Sequence, residues 1–179
     1  MYKPFCKKYF SLSDEVKKIE ETLLKKYEIN LNKTISVLYR GNDKSKETIL
    51  PSYEEMDIEL RELKNRYPDF KIILQSDEIE FCDFMKKYEN SIIFEEVEKI
   101  NKTNDFAIQH KVTNDKKILN SQIFLAIMSI ISKTKFVILN SGNVGMWVCL
   151  FRGSNKNVHQ YLNPKKPHKN YWFINDDYV

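Results

Sequence analysis

The residues with the clearest chemical potential follow a short apolar segment, in the sequence ISVLYRGNDK. Arg40 comes directly after this segment and is one of only four arginines among 29 basic residues. A guanidinium is planar, permanently charged and suited to two-point contact with phosphate, which a lysine ammonium does not provide. The pattern therefore predicts an anion-binding site centred on Arg40. A surface salt bridge from Arg40 to Asp43 is the simpler interpretation.

A second anion-binding pattern is the sequence LNSGN, where Ser141, Gly142 and Asn143 precede a predicted helix. Free backbone N–H groups and the helix dipole attract anions at such a position, and glycine lets a phosphate approach the backbone closely. Ser-Gly-Asn before a helix is more often only a turn.

A third polar group is the sequence QSDE. Gln75, Ser76 and Asp77 follow a predicted strand, and their side chains can bond ribose hydroxyls or the edge of a base. The simpler interpretation makes Ser76 the N-cap of a helix whose first turn holds Asp77 and Glu78.

Alternating helices and strands are predicted to position these groups. Compact apolar segments predict strands at 34–39, 70–75, 91–94, 135–140 and 157–162. Capped periodic segments predict helices at 11–27, 51–68, 76–88, 116–133 and 141–153, and residues 95–115 predict a loop. The expected fold is α/β: a Rossmann-like parallel sheet with helices on both faces. We expect one domain over 1–179, with an N-terminal helix region at 1–30 and an aromatic tail at 163–179.

Because parallel strands end at one edge of a sheet, the polar groups after the first, second and fourth strands should share one crevice. Arg40 and Asp43 are the candidate catalytic residues. The candidate binding residues are Arg40, Gly41, Asn42, Lys44, Gln75, Ser76, Asp77, Asn140, Ser141, Gly142 and Asn143.

Composition and missing motifs exclude several classes. The chain is 42% hydrophobic and 30% charged, which is typical of a soluble globular protein, and its longest apolar run is too short to cross a membrane. No signal peptide, metal-ligand spacing, P-loop or G-x-G-x-x-G motif occurs. Cys82 and Cys149 lie in apolar segments, which favours core packing, and an odd, sparse set of three cysteines favours a reducing, cytoplasmic setting. The net charge of +4 is only mildly basic, so nucleic-acid binding is ranked last among the hypotheses.

Three segments together resemble a known family. ISVLYRGNDK, IILQSDEIEF and ISKTKFVILNSGNVGMWVCLFRGSNKNVHQYL are similar, in this order, to the C-terminal half of fucosyltransferase-like glycosyltransferases. That superfamily includes the α-1,6-fucosyltransferases, the nodulation fucosyltransferases and the protein O-fucosyltransferases. The resemblance covers residues 9–162 and implies a GT-B arrangement in which this chain matches the donor-binding half.

The resemblance also implies roles for individual residues. Arg40 matches the family arginine that holds the β-phosphate of a GDP-sugar, which stabilises the leaving group electrostatically. Residues 140–143 match the turn that contacts the diphosphate. The family transfers its sugar with inversion and without a metal or other cofactor.

Two positions depart from the family pattern. Leu38 stands where the family often has a histidine, and no acid occurs between Gln122 and Lys133, where the family often has one. Ser121 and Gln122 are candidate substitutes for that acid.

The resulting hypothesis is an inverting, metal-independent glycosyltransferase, or its donor-binding domain, that uses GDP-fucose or another GDP-sugar. Asp43 either orients Arg40 or binds the sugar. Only residues 1–33 precede the first predicted strand, which leaves no room for an acceptor-binding domain. We therefore expect a fragment of a larger enzyme, a subunit completed by a separately supplied acceptor-binding partner, or a reduced form that uses its loop and aromatic tail. The acceptor is a glycan or a protein. The alternative is a non-catalytic nucleotide-binding module with the same fold.

Overall fold

Helices and strands alternate along the part of the chain that the computed structural model describes, which is residues 4, 8–46, 49–103, 114–140 and 142–161. In chain order they are α1 Asp14–Lys26, β1 Thr34–Tyr39, α2 Tyr53–Arg66, β2 Lys71–Ser76, α3 Ile79–Met85, β3 Ser91–Ile92, α4 Asn114–Lys133, β4 Phe136–Asn140, α5 Asn143–Arg152 and β5 Val158–Tyr161. Short 3-10 turns occupy Leu31–Lys33 and Asn42–Lys46. The element order predicted from the sequence is confirmed.

The strands form one parallel sheet in the order β3-β2-β1-β4-β5. The order reverses between β1 and β4, because the chain runs from β1 to β3 along one side and then returns to β4 on the other. Ligands of such sheets bind beyond the carboxyl ends of the strands at this switch point. The predicted α/β, Rossmann-like architecture is confirmed.

Helices cover both faces of the sheet. One face, called here the α4 face, packs Leu38, Ile73 and Leu139 against α1, α4 and α5. The opposite face packs Val37 and Leu74 against α2 and α3. Adjacent residues of β1 therefore point to opposite layers, as the period of two along a strand requires.

Helix ends follow the expected chemistry in part. Ser13 caps α1 by accepting a hydrogen bond from the N–H of Val16, and Gly153 ends α5 in a left-handed conformation with φ 68°. Ser52 and Glu55 form a capping box at α2 that the sequence prediction did not include.

The predicted cap at Ser76 was wrong. Ser76 is the last residue of β2, paired in register with Tyr39, and α3 begins only at Ile79. The Oγ of Ser76 accepts from the N–H of Glu78, 3.0 Å away, so this residue stabilises a strand-to-helix bend. The helix starts late because Asp77 and Glu78 bond the loop after β1.

The predicted core role of two cysteines is confirmed. Cys82 and Cys149 are buried, and burial raises the pKa of each thiol to about 11. Thiols that stay protonated at neutral pH are poor nucleophiles, which excludes cysteine catalysis at these two positions.

Three further expectations concern membrane-spanning helices, the loop at 95–115 and the C-terminal tail. Within the described residues, no helix is long and apolar enough to cross a membrane. The predicted loop at 95–115 is described up to residue 103, where Ile100 forms a bridge with Glu78, and α4 already begins at residue 114. The predicted aromatic tail at 163–179 lies outside the described residues.

Candidate functional site

The tips of β1 and β4 are joined at the switch point by Asn140. Its side-chain oxygen accepts from the N–H of Arg40 at 2.9 Å, and its amide nitrogen donates to the carbonyl of Arg40 at 2.7 Å. Asn140 is 4% exposed. Its two side-chain bonds satisfy the backbone N–H and carbonyl of Arg40, which lie just beyond the last β1–β4 backbone pair. The position of the Arg40 backbone is thereby fixed at the mouth of the crevice.

The guanidinium of Arg40 is held by two carboxylates. Its Nε donates to Asp77 Oδ2 at 3.1 Å, and its Nη2 donates to Asp43 Oδ1 at 3.1 Å. Among the described residues its Nη1 has no hydrogen-bond partner, and the side chain is 26% exposed. One end of a fixed guanidinium is therefore open to a ligand, although two negative charges already face its single positive charge.

Asp77 and Glu78 also hold the backbone of the loop after β1. Asp77 Oδ1 accepts from the N–H of Gly41 at 2.9 Å, and Glu78 Oε1 accepts from the N–H of Asn42 at 2.7 Å. A Cβ on Gly41 would lie 2.0 Å from Glu78 Oε1, so only glycine fits this close approach. The loop that carries Arg40 is thus bonded to the residues that follow β2.

Glu78 is fully buried and was not among the predicted site residues. Its second oxygen accepts from the hydroxyl of Tyr53 at 2.6 Å. Burial, together with this bond and the charge of Glu78, raises the pKa of Tyr53 well above its usual range, so Tyr53 stays a donor. No signal in the sequence distinguished Glu78 from a solvated acid in a first helical turn.

Lys44 lies close to the glycine turn. Its Cε would lie 3.6 Å from a Cβ built on Gly142, whereas the Arg40 guanidinium is bound on the β2 side of the crevice. Gly142 is the N-cap residue of α5 and has φ 147°. As a glycine, it supplies no side chain to cap the helix. Asn143, the first residue of α5, is exposed. Ser141 lies outside the described residues.

A pocket of about 450 Å³ opens beside Arg40 on the α4 face. Its floor is formed by the ends of β1 and β2, its roof by the N-terminal half of α4, and its sides by the loop after β3 and the start of α5. We call it the strand-end pocket; it is lined by Leu38, Tyr39, Arg40, Gln75, Ser76, Asp77, Glu96, Val97, Glu98, Lys117, Asn120, Ser121, Phe124, Leu125 and Val144.

The structure thus brings most of the predicted residues to one edge of the sheet. Arg40, Gln75, Ser76 and Asp77 line the strand-end pocket. Gly41, Asn42, Asp43 and Asn140 contact that group without lining the pocket, and Lys44 approaches Gly142 on the other side. Ligand binding by these residues stays a prediction.

On α4, only Ser121 and Gln122 were named from the sequence, and the other residues with which this helix lines the strand-end pocket were missed. Lys117, Asn120 and Phe124 line the strand-end pocket, as does Ser121, one of the two candidates for the missing acid; Gln122 does not. Their helical spacing was visible, but the apolar character of this segment indicated only a buried helix.

No metal centre was predicted. Within the described ranges, no group of three or more histidine, cysteine, aspartate or glutamate residues is arranged to hold a metal ion. The metal-independent reaction remains an expectation.

Comparison with known proteins supports the fold. A solved structure of NodZ, an α-1,6-fucosyltransferase co-crystallised with GDP, matches with a TM-score of 0.55 at 14% sequence identity. The match covers 87% of this chain and 46% of the NodZ chain, so the chain spans about half the length of that enzyme. The fold is therefore similar to part of a fucosyltransferase. No protein-family profile matches the chain. No curated protein matches it.

Proposed function

We propose that this chain is the donor-binding part of a glycosyltransferase that takes a sugar nucleotide, GDP-fucose or another GDP-sugar, at the carboxyl edge of its sheet. The observation that carries the proposal is Arg40, which Asn140 fixes at the switch point and whose Nη1 has no hydrogen-bond partner among the described residues. The similarity in fold to a fucosyltransferase crystallised with GDP supports it.

In this proposal Arg40 binds the departing diphosphate. Negative charge develops on the β-phosphate as the sugar leaves, and a guanidinium held in advance stabilises that charge without reorganising. Lys44 and the backbone N–H groups at the start of α5 add positive potential across the crevice. The transfer itself is inverting and metal-independent, and the acceptor comes with a separate domain or subunit.

The two acids around Arg40 take different roles in this proposal. Asp77 is 11% exposed and also bonds the N–H of Gly41, so it positions the loop. Asp43 is 27% exposed and, among the described residues, bonds the guanidinium alone, so it is the carboxylate that a phosphate can displace. A partly exposed pair with a single charged partner exchanges partners more readily than the more deeply buried Asp77 contact.

Calorimetric titration tests the proposal. Wild-type protein should bind GDP more tightly than UDP, and Arg40→Ala should weaken GDP binding roughly 10- to 100-fold, as expected for a lost charge-assisted contact. Arg66→Ala is the matched control, because Arg66 is 68% exposed and lies at the end of α2. Failure of the wild-type protein to bind either nucleotide, or an equal loss in both variants, would contradict the proposal.

The second candidate is a non-catalytic nucleotide-binding module. The excess of acid around Arg40 favours it, because two carboxylates weaken the electrostatic help that a leaving diphosphate receives. An assay of sugar release from GDP-fucose separates the two functions. A transferase releases fucose or transfers it once the acceptor partner is supplied, whereas a module binds the nucleotide and leaves the sugar attached.

A further inference from the structure

Four side chains form one row across the carboxyl end of the sheet on the α4 face. In register, Gln75 of β2 pairs with Leu38 of β1, Leu38 pairs with Leu139 of β4, and Leu139 pairs with Gln160 of β5. Both glutamines are 2% exposed. The row therefore has an apolar middle and a buried amide at each end, and a buried amide without partners is costly.

The amide of Gln75 leaves its oxygen without a partner. Its Nε2 donates to the carbonyl of Ser76 at 3.3 Å, and no hydrogen bond reaches its Oε1. Because a carbonyl can only accept, this contact fixes the orientation of the amide. Gln75 lines the strand-end pocket, and its Oε1 is an acceptor buried beneath the pocket surface that the protein itself does not satisfy.

The walls of the strand-end pocket are mainly apolar. Leu38, Val97, Phe124, Leu125 and Val144 contribute apolar surface to its volume of about 450 Å³. Such walls disfavour a charged phosphate and suit a flat ring with apolar faces. Asn120 and Ser121 add polar groups from α4 at the rim, while Arg40 stands at the opening.

We propose that the strand-end pocket binds the heterocyclic base of the nucleotide, and that a ring N–H of the base donates a hydrogen bond to Gln75 Oε1. This inference rests on the proposed function, because it assigns the base to the pocket beside the arginine that binds the diphosphate. Guanine fits the requirement, since its edge carries N–H donors and its faces are apolar. Gln75 thereby favours a base with a ring N–H, such as guanine or uracil, over adenine and cytosine, whose corresponding ring nitrogens are acceptors.

The test compares two glutamine variants against three ligands. Gln75→Leu removes the acceptor within the strand-end pocket, and Gln160→Leu removes the matched buried amide, whose Nε2 and Oε1 are both unpaired, at the end of the row that does not line the pocket. Both variants replace an amide that has at least one unsatisfied buried polar atom with an apolar group of similar size, so both should fold, and urea denaturation checks this. The ligands are guanosine, GDP and pyrophosphate.

The expected result separates base from phosphate. Gln75→Leu should weaken guanosine and GDP roughly 5- to 100-fold and leave pyrophosphate unchanged, while Gln160→Leu changes none of the three. Equal guanosine affinity in Gln75→Leu and wild type overturns the inference, and the proposed function stands if Arg40→Ala still weakens GDP. A loss in Gln75→Leu with no effect of Arg40→Ala leaves the base pocket standing and removes the diphosphate site. Absence of guanosine and GDP binding to wild type overturns both.

Discussion

The side chain of Asn140 bonds both the N–H and the carbonyl of Arg40, at 2.9 and 2.7 Å, and so ties the end of β4 to the first residue beyond β1. This pair places the candidate phosphate ligand at the point where the strand order reverses. The loop from Gly41 to Lys44 follows Arg40 directly, so the position of this loop depends on the two bonds from Asn140.

Asn140→Leu should therefore destabilise the fold and weaken GDP binding together. The change leaves both backbone groups of Arg40 without partners in a buried setting, which costs about 1–3 kcal/mol. Urea denaturation and GDP titration measure the two effects. Asn65→Leu is the control, since Asn65 is exposed on α2, away from the candidate site. Equal stability of the two variants would show that the Asn140 bonds do not hold the site.

Gly41→Ala should destabilise through a direct clash. The added Cβ would lie 2.0 Å from the buried Glu78 Oε1, and such overpacking costs about 1–3 kcal/mol. Glu78→Ala removes the clashing group but also the bonds to Asn42 and Tyr53, so it is destabilising alone. The double variant should lose less stability than the sum of the two single losses. Additive losses in urea denaturation would contradict this contact.

The two acids at Arg40 should respond differently to neutralisation. Asp77→Asn weakens the contact with Gly41 as well as that with the guanidinium, so stability should fall by about 1–2 kcal/mol and GDP affinity should fall with it. Asp43→Asn should leave stability nearly unchanged and tighten pyrophosphate binding, because it removes a competing negative charge. Weaker pyrophosphate binding in Asp43→Asn would instead favour an orienting role for Asp43.

Asp57 gives a prediction about pH dependence, away from the candidate site. It is 2% exposed on α2 and bonds Tyr88 at 2.5 Å and Lys87 at 2.8 Å, with Arg61 as a further partner. Burial alone would raise the pKa of its carboxyl, but these bonds outweigh burial and lower the pKa below its ordinary value of 3.8. The ionised carboxylate therefore stabilises the fold above about pH 3.8, and this contribution is lost as the pH falls through the folded pKa.

Asp57→Asn should thus cost stability at neutral pH, by about 1–3 kcal/mol, with the difference from wild type shrinking below pH 3.8. Urea denaturation at several pH values measures this trend. Asp14→Asn is the control, because the Asp14–Lys17 pair is exposed and such pairs contribute little. A loss at Asp57 that stayed constant into acid would indicate a packing effect without a contribution from charge.

The strands could be predicted well because their apolar segments are compact and end at polar residues. The bounds predicted for β1 match Thr34–Tyr39, and the other strands shift by one or two residues. The shared edge of Arg40, Asp77 and Asn140 followed from parallel pairing alone.

The hydrogen-bond partner of each polar group could not be predicted from the sequence. Asp77 and Glu78 fit the acidic first turn of a helix, yet they bond the loop after β1. Gln75 and Gln160 lie 85 positions apart, and only the register of four strands places them in one row. Long-range pairing of this kind leaves no local pattern to detect.

A crystal of this protein soaked with GDP tests the central claim most directly. The account predicts diphosphate oxygens within hydrogen-bond distance of the Arg40 guanidinium, with the base in the strand-end pocket above Gln75. A diphosphate bound beyond the reach of Arg40, or a base located outside that pocket while the phosphates contact other residues, would contradict it.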